Sequence, residues 1–139
     1  GIILLIPVRA SASEPSPDLV CMAEAVYYEA RDQSVLGQLA VAVVIQNRVK
    51  DSRWPSTACG VVRDGKYWKG KPERPAEKEA WELAVWIAET ILTSSFIIEG
   101  LEEATHYHAT HVQPKWSHSQ EFCAKIGDHK FYSSDKVVP

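Results

Sequence analysis

The chain has 139 residues, of which 45% are apolar and 24% charged, and its formal net charge is −3. That length holds one domain that buries roughly two-thirds of its unfolded surface, and the composition excludes a disordered or membrane-spanning chain. The negative balance excludes a general affinity for nucleic acid, which needs a basic surface.

Ile2 to Val8 is an apolar run too short to span a bilayer as a helix. Ala10-Ser11-Ala12 follows it, a small-residue pattern of the kind signal peptidases cut after. Residues 1–16 therefore read as a signal-like or linker arm, and residues 17–139 as a single domain. Ser16-Pro17-Asp18 is a helix start, with a capping hydroxyl, a proline in the first turn and an acid at the positive end. The apolar positions Leu19, Val20, Ala23, Val26, Tyr27 and Ala30 then keep helical spacing to about Arg31.

Ser34 caps a second predicted helix, and "VLGQLAVAVVIQNRVK" is apolar nearly all round from Val35 to Ile45, as in a helix buried on every side. A strand competes for this β-branched run, but its length and its polar exit at Gln46-Asn47-Arg48 favour the helix. Trp54-Pro55 and Gly60 read as a bend. A third helix is predicted from about Ala76 to Thr93, with Ala80, Leu83, Ala84, Ile87 and Ile91 on one face. After Gly100 the stretches "EATHYHATHV" and "IGDHKFYS" read as strand or extended loop. The expected class is α+β, predominantly α.

Within this layout one residue is out of place. Glu29 stands in "VYYEARDQ", near the end of an apolar helix, where burial and the helix C-terminus both disfavour its charge and raise its pKa. A raised carboxyl suits a general acid near neutral pH; a surface ion pair is the competing reading. Asp32 can share its face if the helix persists, whereas Glu24 points away. A mechanism with one carboxylate therefore fits better than a retaining or inverting pair.

In "THYHATH" an extended backbone turns His106 and His108 to one side, and His118 or His129 is available as a third metal ligand. There is no HExxH motif, and the same histidines suit hydrogen bonds to sugar hydroxyls or a structural role. Trp81 and Trp86 have helical spacing and read as packing, while Trp68, Tyr107 and Trp116 lie where a ring can stack on a sugar face. A basic segment, Arg63 to Lys78, surrounds Tyr67 and Trp68. The cysteines Cys21, Cys59 and Cys123 show no zinc spacing. They read either as one disulfide with a thiol left over or as three buried thiols.

Three stretches in order, "YYEARDQSVLGQLAVAVVIQNRVKDSRWPSTACGVV", "ATHYHATHVQPKW" and "IGDHKFY", resemble the SleB-type cell wall hydrolases, bacterial and phage enzymes that cut peptidoglycan. The resemblance runs from about Leu19 to Tyr132. It implies a compact lysozyme-like fold related to lytic transglycosylases, with the glutamate of "EAR", Glu29, as catalytic acid and base. It places His106, Tyr107 and His108 in a matching element that lines the cleft, and His129 and Tyr132 in the closing element, as candidates for substrate contact. Tyr28, Gln46, Asn47, Tyr67, Trp68 and Trp116 are further candidates for substrate contact, and Asp32 for assistance.

The resemblance implies no metal and no cofactor, a monomer acting on peptidoglycan strands without a membrane span, and a place in the periplasm or envelope or on the host wall of a phage. A zinc-dependent N-acetylmuramoyl-L-alanine amidase using His106, His108 and His129, and a non-catalytic wall-binding module, are the alternatives. Two departures stand out. The family commonly reads "EARGE", whereas this chain reads "EARDQ", and "RDGKYWKGKPER" replaces a "QFSF"-like stretch, so Tyr67 and Trp68 would stand in for its aromatics.

Overall fold

The computed structural model describes residues 15–65 and 76–134. Four helices, α1 (Pro17–Ala30), α2 (Val35–Val49), α3 (Ala58–Gly65) and α4 (Lys78–Thr93), precede three strands, β1 (His106–Ala109), β2 (Glu121–Ile126) and β3 (His129–Ser133). The expected α+β class with helices dominant is what is observed. Of the arm expected at residues 1–16, only Pro15 and Ser16 fall among the described residues.

Both predicted N-caps are in place. Ser16 Oγ accepts from Leu19 N at 3.2 Å and Ser34 Oγ accepts from Gly37 N at 3.1 Å, each satisfying a donor that a helix start leaves open. α2 is the centre of the molecule: every residue from Gly37 to Ile45 is buried, and the other three helices all pack on it. The strand alternative for this run is thereby excluded. α4 begins two residues later than expected and buries Ala84, Ile87, Ala88 and Ile91. Trp81 packs edge-on to Tyr27 with ring centres 6.1 Å apart, but Trp86, read as packing, is 54% exposed.

The sequence reading missed α3, because Pro55 and Gly60 look like chain punctuation. Gly60 instead lies inside the helix, and a Cβ built there would stand 2.6 Å from Pro55 Cβ. Close packing, not a bend, is what calls for glycine. The start of α3 is satisfied by Thr57 Oγ1, which accepts from Gly60 N at 3.0 Å, and by Asp18 Oδ1 of α1, which accepts from Cys59 N at 3.2 Å.

The sheet is antiparallel in the order β1-β3-β2. Tyr107 pairs with Phe131 on the face toward the helices, where Phe131 is fully buried. His106 pairs with Tyr132 on the other face, which a short 3-10 turn, Lys115–His118, covers with Trp116. Gly127, at φ +57°, makes the β2–β3 turn.

Cys21 and Cys59 form a disulfide between α1 and α3, leaving Cys123 as the free thiol. The bridge closes a sequence separation of 38 residues, for which loop entropy predicts about 4 kcal/mol of stabilisation. Reducing the protein, or the double replacement Cys21→Ser and Cys59→Ser, is therefore expected to lower unfolding free energy in urea by about 2–4 kcal/mol. Replacing Cys123 by serine should leave it nearly unchanged.

Candidate active site

α1 ends at Ala30, with Arg31 as its C-cap, so Glu29 sits in the last turn. Its neighbour Tyr27 turns inward, and the Tyr27 hydroxyl accepts from Glu77 N at 3.0 Å, which ties the end of α1 to the start of α4. Arg31 adds a contact with Glu77 at 3.4 Å. These partners hold the helix end while Glu29 faces outward between two cavities. One, of about 320 Å³, is shared with Arg48, Tyr107, His108, Ala109, Val112 and His129. The other, of about 500 Å³, is shared with Tyr28, Arg31, Asp32 and Glu77. Among the described residues, Glu29 alone lines both.

Burial pushes the Glu29 carboxyl up to about 7. Near neutral pH it therefore exists in both forms, able to donate a proton and to take one back. Asp32 lies in the second cavity, exposed, with its Oδ1 3.4 Å from Gln33 Nε2.

Tyr107 and His129 meet in the first cavity, with ring centres 5.1 Å apart. His129 is buried, and among the described residues its Nδ1 has no hydrogen-bond partner. Burial lowers its pKa, with Asp32 and Asp128 opposing, so the ring is biased toward its neutral form. In His108, Nδ1–H donates to Ala109 O at 2.7 Å, which leaves Nε2 to accept from the Tyr132 hydroxyl at 2.9 Å. That chain of bonds sets the ring's tautomer and leaves neither nitrogen for a cation.

His106 does not line the cavity. It lies between Trp54 and Trp116, at 5.8 and 5.2 Å between ring centres, with Nδ1 3.1 Å from Thr105 Oγ1. Burial, then Arg48 and Arg53, push its pKa down to about 4. Trp116 and Tyr132 stand behind His108 on the outer face of the sheet, where they support it rather than line the cavity. The three histidines proposed as metal ligands are thus divided, and among the described residues no three of His, Cys, Asp or Glu are grouped to hold a metal ion.

Gln46 and Asn47 belong elsewhere. They line a separate cavity of about 210 Å³ with Ile91, Phe96 and Ile97. Asn47 Nδ2 donates to Leu101 O at 3.0 Å and to Ala104 O at 2.8 Å, so its amide is engaged in holding the turn before β1. Tyr67 and Trp68 lie outside the described residues. Among the residues that went unread in the sequence are Arg48, in the cavity wall, and Gln33, beside it. Arg48 lines the cavity with Glu29, fixed by Nε donating to Thr105 O at 2.7 Å and by its guanidinium 5.0 Å over Trp54. Its signal was its place in the last turn of a helix enclosed on all sides, where polar side chains have to reach into the structure. Gln33 joins the end of α1 to the β2–β3 turn through Asp128.

Residues 32–132 match the family described as Cell Wall Hydrolase. The chain belongs to that family. The match begins three residues after Glu29. A spore cortex-lytic enzyme of Bacillus cereus is 51% identical over 45 residues, covering 32% of this chain and 17% of that protein. A spore cortex-lytic enzyme of Oceanobacillus iheyensis is 43% identical over 60 residues, covering 37% and 22%. The chain thus matches less than a quarter of the length of these curated relatives.

Solved structures match over much more of this chain. The catalytic domain of the germination-specific lytic transglycosylase SleB from Bacillus anthracis is 27% identical, with TM-score 0.61, covering 87% of this chain and 98% of that one. The catalytic domain of the Bacillus cereus SleB protein is 26% identical, with TM-score 0.58, covering 96% and 99%. The fold is the lysozyme-like one that the sequence motifs imply.

Because Asn47 serves the fold and Glu29 the cleft, the two are separable. Asn47→Ala leaves two carbonyls without their donor and is expected to cost about 2 kcal/mol in urea unfolding. The titration of the Glu29 carboxyl carbon, followed by NMR, should stay near 7 in that variant.

Proposed function

We propose that this cell wall hydrolase cleaves the glycan strand of peptidoglycan between N-acetylmuramic acid and N-acetylglucosamine, as a lytic transglycosylase with Glu29 as its catalytic acid and base. The observation that carries the reading is a carboxyl raised to about 7 at the one described residue shared by two cavities. The likeness to a SleB catalytic domain, in a protein described as a lytic transglycosylase, supports it.

In the proposed reaction, protonated Glu29 gives its proton to the glycosidic oxygen as the bond from that oxygen to muramic C1 breaks. The muramic C6 hydroxyl attacks C1, and its proton passes to the Glu29 carboxylate. A 1,6-anhydro ring closes, the acid is regenerated, and no water is consumed. One carboxylate suffices, so Asp32 is assigned at most an assisting charge. Tyr28 lines one side of the helix end, and Tyr107, His108 and His129 line the other. These polar and aromatic groups suit sugar hydroxyls and acetamido groups.

The catalytic unit is assigned to residues 17–139, working as a monomer without a cofactor. It is placed outside the cytoplasm, in the envelope or on the host wall of a phage. The Cys21–Cys59 disulfide supports an oxidising setting. No described helix is long and apolar enough to cross a membrane.

Soluble fragments released from purified peptidoglycan, analysed by mass spectrometry, test the reading. Anhydro-muramyl products are expected, unaffected by EDTA and absent with Glu29→Gln. Free stem peptides that vanish with EDTA would instead mark an amidase, and wall binding without release would mark a binding module.

The pH behaviour has a definite sign. The acid form of Glu29 starts the reaction, so activity should fall as pH rises through about 7. Between its ordinary value of 4.5 and about 7 the folded protein keeps a proton that the unfolded chain has released, so stability falls with rising pH across that window. Glu29→Gln removes this loss. Differential scanning calorimetry should find the variant more stable than the wild type at pH 8 and equal to it near pH 4.

A further inference from the structure

We propose that Gln33 is a positioning residue of this site: its side-chain amide clamps the β2–β3 turn to the end of α1 and so holds His129, with Tyr107 against it, in the cavity wall shared with Glu29. The proposal rests on the glycan-cleaving reading above.

Gln33 is fixed from both helices it joins. Its N–H donates to Ala30 O at 2.9 Å, and its carbonyl accepts from Gln38 Nε2 at 3.1 Å. From that base the side chain reaches across 95 residues of sequence to Asp128. Gln33 Nε2 donates to Asp128 Oδ2 at 3.0 Å, while Oε1 accepts from Asp128 N at 3.0 Å. The turn approaches so closely that a Cβ on Gly127 would stand 2.5 Å from Gln33 Oε1. On its far side the turn is held by Thr110 N, which donates to Asp128 O at 2.8 Å. Asp128 is followed directly by His129, which lines the cavity and packs on Tyr107.

The chemistry of the clamp requires an amide. One group has to donate to a carboxylate and accept from an N–H at the same time, and an ionised glutamate cannot donate. Glutamate here would also face Asp128 and Asp32 together, gathering three acidic side chains around one contact. Gln33 thus has no acid role to play, and its contribution is geometric.

The polarity of the clamp can be reversed, and that gives the test. In Gln33→Glu combined with Asp128→Asn, the new carboxylate accepts both from the asparagine amide and from the backbone N–H of residue 128. Four proteins are compared: wild type, each single variant and the pair. Each is assayed for kcat and KM on soluble glycan strands and for hydrogen exchange at the amide of residue 128. Gln33→Glu is expected to lower kcat by roughly ten- to a hundredfold, the scale of an ångström of misplacement, with KM little changed, and to speed exchange at that amide. Asp128→Asn should stay near wild type, because its Oδ1 still accepts from Gln33. The pair should recover most of the lost kcat and the lost protection.

Wild-type kcat in Gln33→Glu, or a loss that the pair does not recover while exchange does, overturns the positioning role. Unchanged exchange at residue 128 in Gln33→Glu overturns the clamp itself. A wild-type protein that releases no fragments overturns the glycan-cleaving reading and with it the catalytic half of the proposal, and exchange then decides the structural half.

Discussion

A helix with apolar side chains on every side has to be enclosed, and most of this molecule follows from enclosing α2. With Gly37 to Ile45 all buried, three helices are needed to cover it. Its last turn, polar in sequence, meets the chain segment that leads into the sheet. There Asn47 takes Leu101 O and Ala104 O, and Arg48 takes Thr105 O. These bonds set where β1 begins. The strand that follows carries Tyr107 and His108 to the cavity that Glu29 lines from α1. Burying the central helix and building the cleft are one operation, carried through the two polar residues at the end of α2.

The site also opposes the forces that make the rest of the domain stable. A carboxyl half-removed from water favours its neutral form, and that preference is what makes Glu29 useful as a proton carrier near pH 7. His129 is buried in the same cavity with one ring nitrogen unpaired among the described residues. Functional sites commonly hold such unsatisfied groups. Here the surrounding order comes from hydrogen-bonded groups: Tyr27 with Glu77, His108 between Ala109 and Tyr132, and Gln33 with Asp128.

Much of this was legible in the sequence, and the failures have physical causes. Ser16 and Ser34 marked two helix starts because a cap is a local interaction between residues three apart. Glu29 stood out because an acid among apolar helical positions is anomalous whatever the tertiary structure. α3 escaped because the need for Gly60 arises from Pro55 packed against it, a contact that local pattern does not announce. β2 escaped because its exposed Glu121, Phe122 and Lys125 give no clear alternation, and a bulge between Phe122 and Ala124 breaks the period. Gln46 and Asn47 were polar residues at a helix exit, and only the fold assigns them to a different cavity from that of Arg48. His106 and His108 do share a face, as an extended strand requires, but the side facing the cavity wall is decided by Trp116 and Trp54.

The disulfide gives α1 two unlike ends. Near its start the helix is bonded covalently to α3 through Cys21, and Asp18 adds a hydrogen bond to the same partner helix. Glu29 lies eight residues further on, about 12 Å along the axis, where the helix is held by noncovalent contacts to Glu77. The helix is therefore stapled covalently near its start, while the turn that carries the carboxyl is held by hydrogen-bonding and ionic contacts at the start of α4. The covalent restraint thus acts on the fold at one end of the helix, and the reacting group at the other end is positioned by contacts that reduction of the staple leaves in place.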